Sequence, residues 1–193
     1  MGHFIGVYTD ELPKLESIIG SGSAEHFAAV LQKCGGKFNL DPATHNRMAA
    51  ALKNIIADTY PSGTDELDDC YGYAFEFLCQ AVARKWTVQE IYVADDLFPQ
   101  IFAFVWGAVD NEEDAHLLDN ANPFGIPEGE HGAVFWHRRP EYVKMSIRRL
   151  GDLDYEQIAK LNGTDYRQEI AEILKVLTEA EQTGQGVFVT WNE

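Results

Sequence analysis

Three consecutive residues, His137-Arg138-Arg139, carry the densest cationic chemistry in the chain. A guanidinium binds phosphate or carboxylate through two parallel hydrogen bonds, and an imidazole adds a further contact. These three form the candidate anion site, next to the aromatic pair Phe135 and Trp136. The alternative reading is a surface turn before Pro140 whose arginines pair with local acids. Carboxylates are more numerous. Asp65, Glu66, Asp68 and Asp69 crowd one stretch, and Asp110, Glu112, Glu113 and Asp114 crowd another. Crowded exposed carboxylates suit a basic protein surface and speed its capture. One acid, Glu76, stands inside the apolar run from Tyr71 to Leu78. A catalytic acid needs a carboxyl perturbed by burial, so Glu76 is the acid to watch. The favoured reading leaves it on the polar edge of a helix.

Other chemistry is excluded by spacing. No Gly-x-Ser-x-Gly elbow exists, and Gly20-Ser21-Gly22-Ser23 reads as a helix stop followed by a cap. Gly35-Gly36-Lys37 lacks the spacing of a phosphate loop, and no Gly-x-Gly-x-x-Gly occurs. Asp110, Glu112 and Asp114 imitate the opening of a calcium loop, but Ala115 and Ala121 stand where Gly and Glu are required. No His pair has helical metal spacing, and His131 and His137 on one strand would lie roughly 20 Å apart. Cys34, Cys70 and Cys79 are an odd set without a framework. Cys70 and Cys79 face opposite sides of one helix and read as small core residues. No metal, no cofactor and no catalytic residue are expected, and the balance leans away from an enzyme.

The chain has 193 residues, a formal net charge of −16 and 46% hydrophobic residues. That length suits one domain, able to bury about 70% of its unfolded surface without a staple. Between Asp58 and Asp119 there are 14 acidic and two basic residues, a net of −12. From Arg138 to Arg149 the balance reverses, with five basic residues against Glu141 alone. A solvated acidic face paired with a basic strip is the plain reading. Binding to nucleic acid or to an anionic membrane is not expected at this charge. The N-terminus has no basic region followed by an apolar run, and no stretch reaches ~18 apolar residues. The expected setting is soluble and cytoplasmic.

The elements that must position these residues follow from periodicity. His3 to Thr9 is apolar on both faces and reads as a covered strand. Leu12, Leu15, Ile18 and Ile19 recur at helical spacing and end at Gly20. Ser23 caps a helix bearing Phe27, Val30 and Leu31. Asp41-Pro42 opens a helix presenting Met48, Leu52, Ile55 and Ile56. Residues 65 to 85 form a long helix whose stripe is Leu67, Tyr71, Phe75, Leu78 and Val82. Tyr73 and Phe77 lie outside that stripe, so the helix packs on two sides. A helix apolar nearly all round is expected over 97–108, then a polar excursion over 110–131. His131 to His137 reads as a strand. Val143, Met145 and Ile147 alternate with Lys144, Ser146 and Arg148, which reads as another strand. A short helix is expected from Asp152 and a strongly amphipathic one through Tyr166, Ile170, Ile173, Leu174 and Leu177. Val187 to Trp191 closes the chain as a strand. The expected architecture is a single α+β domain over 1–193, helix-rich, with a small mixed sheet that includes both terminal strands.

Three stretches carry a resemblance. They are the opening Gly2-His3-Phe4-Ile5-Gly6-Val7-Tyr8-Thr9, the closing Arg149-Leu150-Gly151-Asp152-Leu153-Asp154-Tyr155-Glu156-Gln157-Ile158-Ala159 with Gly184-Gln185-Gly186-Val187-Phe188-Val189, and the helix Tyr71 to Cys79. Together they resemble the YfbM-like group of small bacterial proteins of unknown function. The resemblance implies an α+β fold and a bacterial origin, and it carries no catalytic residues to transfer. Small acidic proteins of this kind include immunity proteins encoded beside toxins.

Two functions follow as expectations. The first is a non-enzymatic protein that docks a basic partner through Asp65, Glu66, Asp68, Asp69, Asp110, Glu112, Glu113 and Asp114, as a toxin-neutralising protein would. The second is a small enzyme or ligand-binding protein with an anion pocket at His137, Arg138 and Arg139. The sequence leaves oligomeric state open.

Overall fold

Ile5, Val7 and Tyr8 give the first strand apolar side chains on both faces, and a strand of that kind must be covered twice. The computed structural model describes residues 3–34, 42–60, 65–91, 124–127, 134–152, 154–156 and 165–192. In chain order its elements are β1 (His3–Thr9), α1 (Leu12–Ile18), α2 (Ala24–Cys34), α3 (Pro42–Ala57) and α4 (Asp65–Val82). They continue with β2 (Trp86–Ile91), β3 (Val134–Arg138), α5 (Pro140–Gly151), α6 (Arg167–Thr183) and β4 (Val187–Asn192). The sheet order is β2-β1-β4-β3. All three pairings are antiparallel, where a mixed sheet was expected. The two terminal strands are central neighbours, with Val7 opposite Val189 and Tyr8 opposite Phe188.

Strand alternation sorts the side chains into two cores. Ile5, Val7, Val187 and Val189 pack under Ile170, Ile173, Val176 and Leu177 of α6 and Val143 and Leu150 of α5. Tyr8, Phe135 and Phe188 face the other way, onto α4 and the helices behind it. The fold is thus a helical layer α1–α4, a four-stranded sheet, and a second layer α5–α6. Phe75 of α4 joins helix to sheet on the first side. Its ring centroid lies 4.2 Å from that of Phe135 and 5.4 Å from that of Phe188, the latter edge-on.

Local chemistry sets the boundaries. Ser23 Oγ accepts the His26 N–H at 3.2 Å and caps α2. Gly184, at φ 66°, ends α6 in the left-handed conformation, and its N–H reaches back to the Ala180 and Glu181 carbonyls.

Two elements depart from expectation. The segment read as a strand through Val143, Met145 and Ile147 is the helix α5. The segment satisfies both periods, because Val143, Ser146 and Leu150 also recur at helical spacing and are all buried. Pro140 at the first helical position supplies the start. Trp86–Ile91, left unread, is the edge strand β2, with Thr87 opposite Val7 and Val88 opposite Gly6. The helix expected over 97–108 and the excursion over 110–131 lie outside the described residues, apart from 124–127. The helix expected from Asp152 is described only at residues 154–156.

Phe75 is fully buried at the meeting point of α4, β3 and β4. Phe75→Ala is expected to cost about 3–5 kcal/mol, read as a lower urea midpoint with an unchanged slope.

Candidate functional site

The carboxyl ends of β1 and β3 and the start of β4 meet at one end of the sheet. There, the Nε2 of His137 shares a 2.6 Å hydrogen bond with Asp10 Oδ2, and both side chains are about nine-tenths buried, at 10% and 9% exposure. A carboxylate oxygen accepts, and an imidazole N–H at Nε2 is the donor that matches it. The other carboxylate oxygen, Asp10 Oδ1, accepts the Leu12 N–H at 2.6 Å and so ties α1 to the same corner. Asp10 is also pinned through its backbone. Its N–H donates to the Gly186 carbonyl at 2.9 Å, and its carbonyl accepts from Gln185 Nε2 at 2.8 Å. Gly186 must lack a side chain, because a Cβ there would strike the Arg138 carbonyl and stand 3.1 Å from His137 Nε2. The Phe188 ring, 4.9 Å from the imidazole, holds the other flank.

The structure separates the three residues read as an anion site. His137 and Arg138 are consecutive in β3, so they leave opposite faces of the sheet. Arg138 runs toward α5, where its Nη1 donates to Ser146 Oγ at 2.7 Å. Ser146 in turn donates to the Tyr142 carbonyl at 3.1 Å. Arg139 is exposed at the corner where β3 gives way to α5. A shallow groove of about 340 Å³ runs along α6 past Lys85, Leu174 and Lys175, and a narrow apolar cleft lies between α2 and α3 near His45. Neither includes His137, Arg138 or Arg139. His131, the other strand histidine, lies outside the described residues.

The acidic candidates divide similarly. Asp65 and Glu66 open α4, and Asp68 and Asp69 are half-buried where its first turn passes into the second. Carboxylates at a helix N-terminus are favoured by the helix dipole, which accounts for their local tolerance. The side chains of Asp65 and Glu66, and the whole of Asp110, Glu112, Glu113 and Asp114, lie outside the described residues.

Glu76 departs from the favoured reading, which left it on an exposed edge. It is 5% exposed, because α4 is covered by the sheet on one side and by α3 on another. Tyr8 Oη donates to Glu76 Oε1 at 2.7 Å, and Gln80 Nε2 approaches the same oxygen at 3.4 Å. Burial, with the Glu76 charge beside it, pushes the Tyr8 phenol well above its ordinary value. Burial first, then the charges of Glu76 and Asp10, do the same to the Cys79 thiol. A thiol held protonated is a poor nucleophile, so the core reading of Cys79 stands. Cys70 is buried and raised by the same desolvation. The side chain of Cys34 lies outside the described residues. Among the described residues no group of three or more His, Cys, Asp or Glu could hold a metal ion.

Asp10 and Tyr8 complete these two pairs, and neither was read from the sequence as a site residue. Asp10 meets His137 across 127 positions and Tyr8 meets Glu76 across 68, and no local pattern marks either pairing.

A family model described as a domain of unknown function (DUF7691) matches residues 1–191, and the chain belongs to that family. No curated protein and no solved structure matches the chain. No helix among the described residues is long and apolar enough to cross a membrane.

A phenol and a thiol whose values are raised on folding bind protons more tightly folded than unfolded. They stabilise below their unfolded values, near pH 8.5 for Cys and 10 for Tyr, and that stability is lost as pH rises above them. Unfolding free energy should therefore fall above about pH 9, with Tyr8 ionising only as the fold opens. Urea titrations across pH 8–11 with tyrosinate absorbance test this. Tyrosinate from Tyr8 forming in the folded protein near pH 10 would contradict it. A second expectation concerns the corner of the sheet. Asp10→Ala strips His137 and the α1 N-terminus of one shared acceptor and should cost about 1–3 kcal/mol, measured by denaturation at neutral pH.

Proposed function

We propose that this member of the DUF7691 family is a non-enzymatic acidic protein that docks a basic protein partner, in the manner of a toxin-neutralising protein. One observation carries the reading: a net charge of −12 is concentrated between Asp58 and Asp119 in a chain of net −16. The contact surface would be Asp65, Glu66, Asp68 and Asp69 at the start of α4 together with Asp110, Glu112, Glu113 and Asp114. The disposition of the cations supports it. Arg138 reaches Ser146 on one face of β3 and His137 reaches Asp10 on the other, which favours this reading over an anion pocket shared by the two. A field of one sign steers an oppositely charged partner and raises its association rate. A bacterial, cytoplasmic setting and kinship with the YfbM-like group belong to the same proposal.

The test is capture from native lysate at low salt, with elution by a salt step and mass-spectrometric identification. A basic protein released by salt is the expected result. Replacing Asp110, Glu112, Glu113 and Asp114 by their amides should then slow association at low salt by about tenfold or more and flatten its salt dependence. Unchanged association kinetics in that variant would remove the acidic segment from the interface.

A further inference from the structure

We propose that the interface between α4 and the sheet binds a single water molecule, held by Thr190 and Gln80 against the Tyr8–Glu76 pair. Thr190 is wholly buried, and its Oγ1 has no hydrogen-bond partner among the described residues. Gln80 Oε1 is likewise buried without a partner. Native interiors rarely leave such groups unpaired, since each then bears its full desolvation cost.

The two orphans belong to one neighbourhood. A Cβ added to Gly6 would overlap Thr190 Oγ1 and stand 2.5 Å from Tyr8 Oη, so the two hydroxyls converge above a glycine. Tyr8 Oη contacts Glu76 Oε1, and the Gln80 amide approaches that same oxygen. Four polar side chains from β1, β4 and α4 thus converge inside an otherwise apolar interface.

The hydrogen-bonding requirement defines the guest. Tyr8 has committed its proton to Glu76 and can only accept further bonds. Gln80 Oε1 can only accept. Thr190 can donate. One molecule with two donors and an acceptor answers all three, and the burial of Thr190, Tyr8 and Glu76 selects the smallest such species. Buried waters make about three hydrogen bonds, which is the number offered here. This water would be the hydration partner of the buried Tyr8–Glu76 pair, and the missing side chain of Gly6 lets the Thr190 and Tyr8 hydroxyls come together.

The decisive variant is Thr190→Val, which exchanges a hydroxyl for a methyl of similar shape. If the hydroxyl anchors a water, its loss orphans Gln80, and Tm should fall by about 2–4 °C. Thr190→Ser keeps the anchor and should keep the water. If the hydroxyl has no partner, Thr190→Val relieves an unpaired group and Tm should rise or stay level. In the unmodified protein, water–protein cross-relaxation NMR should show a long-lived water beside Thr190 and Tyr8, lost in the Val variant. A level or raised Tm, or no long-lived water at Thr190 in the unmodified protein, overturns the proposal.

Discussion

The fold turns on the pairing of β1 with β4, strands from opposite ends of the chain. Bringing such ends together costs chain entropy of roughly 5 kcal/mol beyond a constant term. Burial on both faces offsets it. Val7 and Val189, directly opposed, pack under α6, while their neighbours Tyr8 and Phe188 pack under α4. Each helical layer therefore depends on the same central pair. Neither core exists without the sheet, and the sheet has no cover without both layers.

That arrangement governs the polar groups. Packing α4 against the sheet along its length brings Glu76 into the interior, and the hydrogen bond from Tyr8 offsets part of the cost. At the end of the sheet the same logic draws in Asp10 and His137. Their bond joins β1 to β3 across the intervening β4, with Gly186 giving the space. Such groups rigidify an interface when fully partnered. They also turn His137 and Arg138 to opposite faces of the sheet, each toward a partner within the fold.

Much of the fold was legible in the sequence because burial imposes a period. The stripe of Ile170, Ile173 and Leu177 marked α6, and the two-sided apolarity of His3 to Thr9 marked a covered strand. Ser23 marked a boundary through capping chemistry. The strand-like alternation of Val143, Met145 and Ile147 misled, since a short run with residues at both spacings fits strand or helix. Only the position of α6 decides between them, by offering a partner to Val143 and Leu150 on one helical face.

Composition and order by themselves determined the fold class, the presence of both terminal strands in one sheet and the concentration of negative charge. These are sums and periods, and they survive without knowledge of partners. The tertiary structure alone decided that Glu76 lies inside, that His137 meets Asp10, and that Arg138 leaves the opposite face of its strand. Each of these depends on contacts between residues far apart in the chain. The free energy of a polar side chain is set by its neighbours in space, which one-dimensional order does not specify.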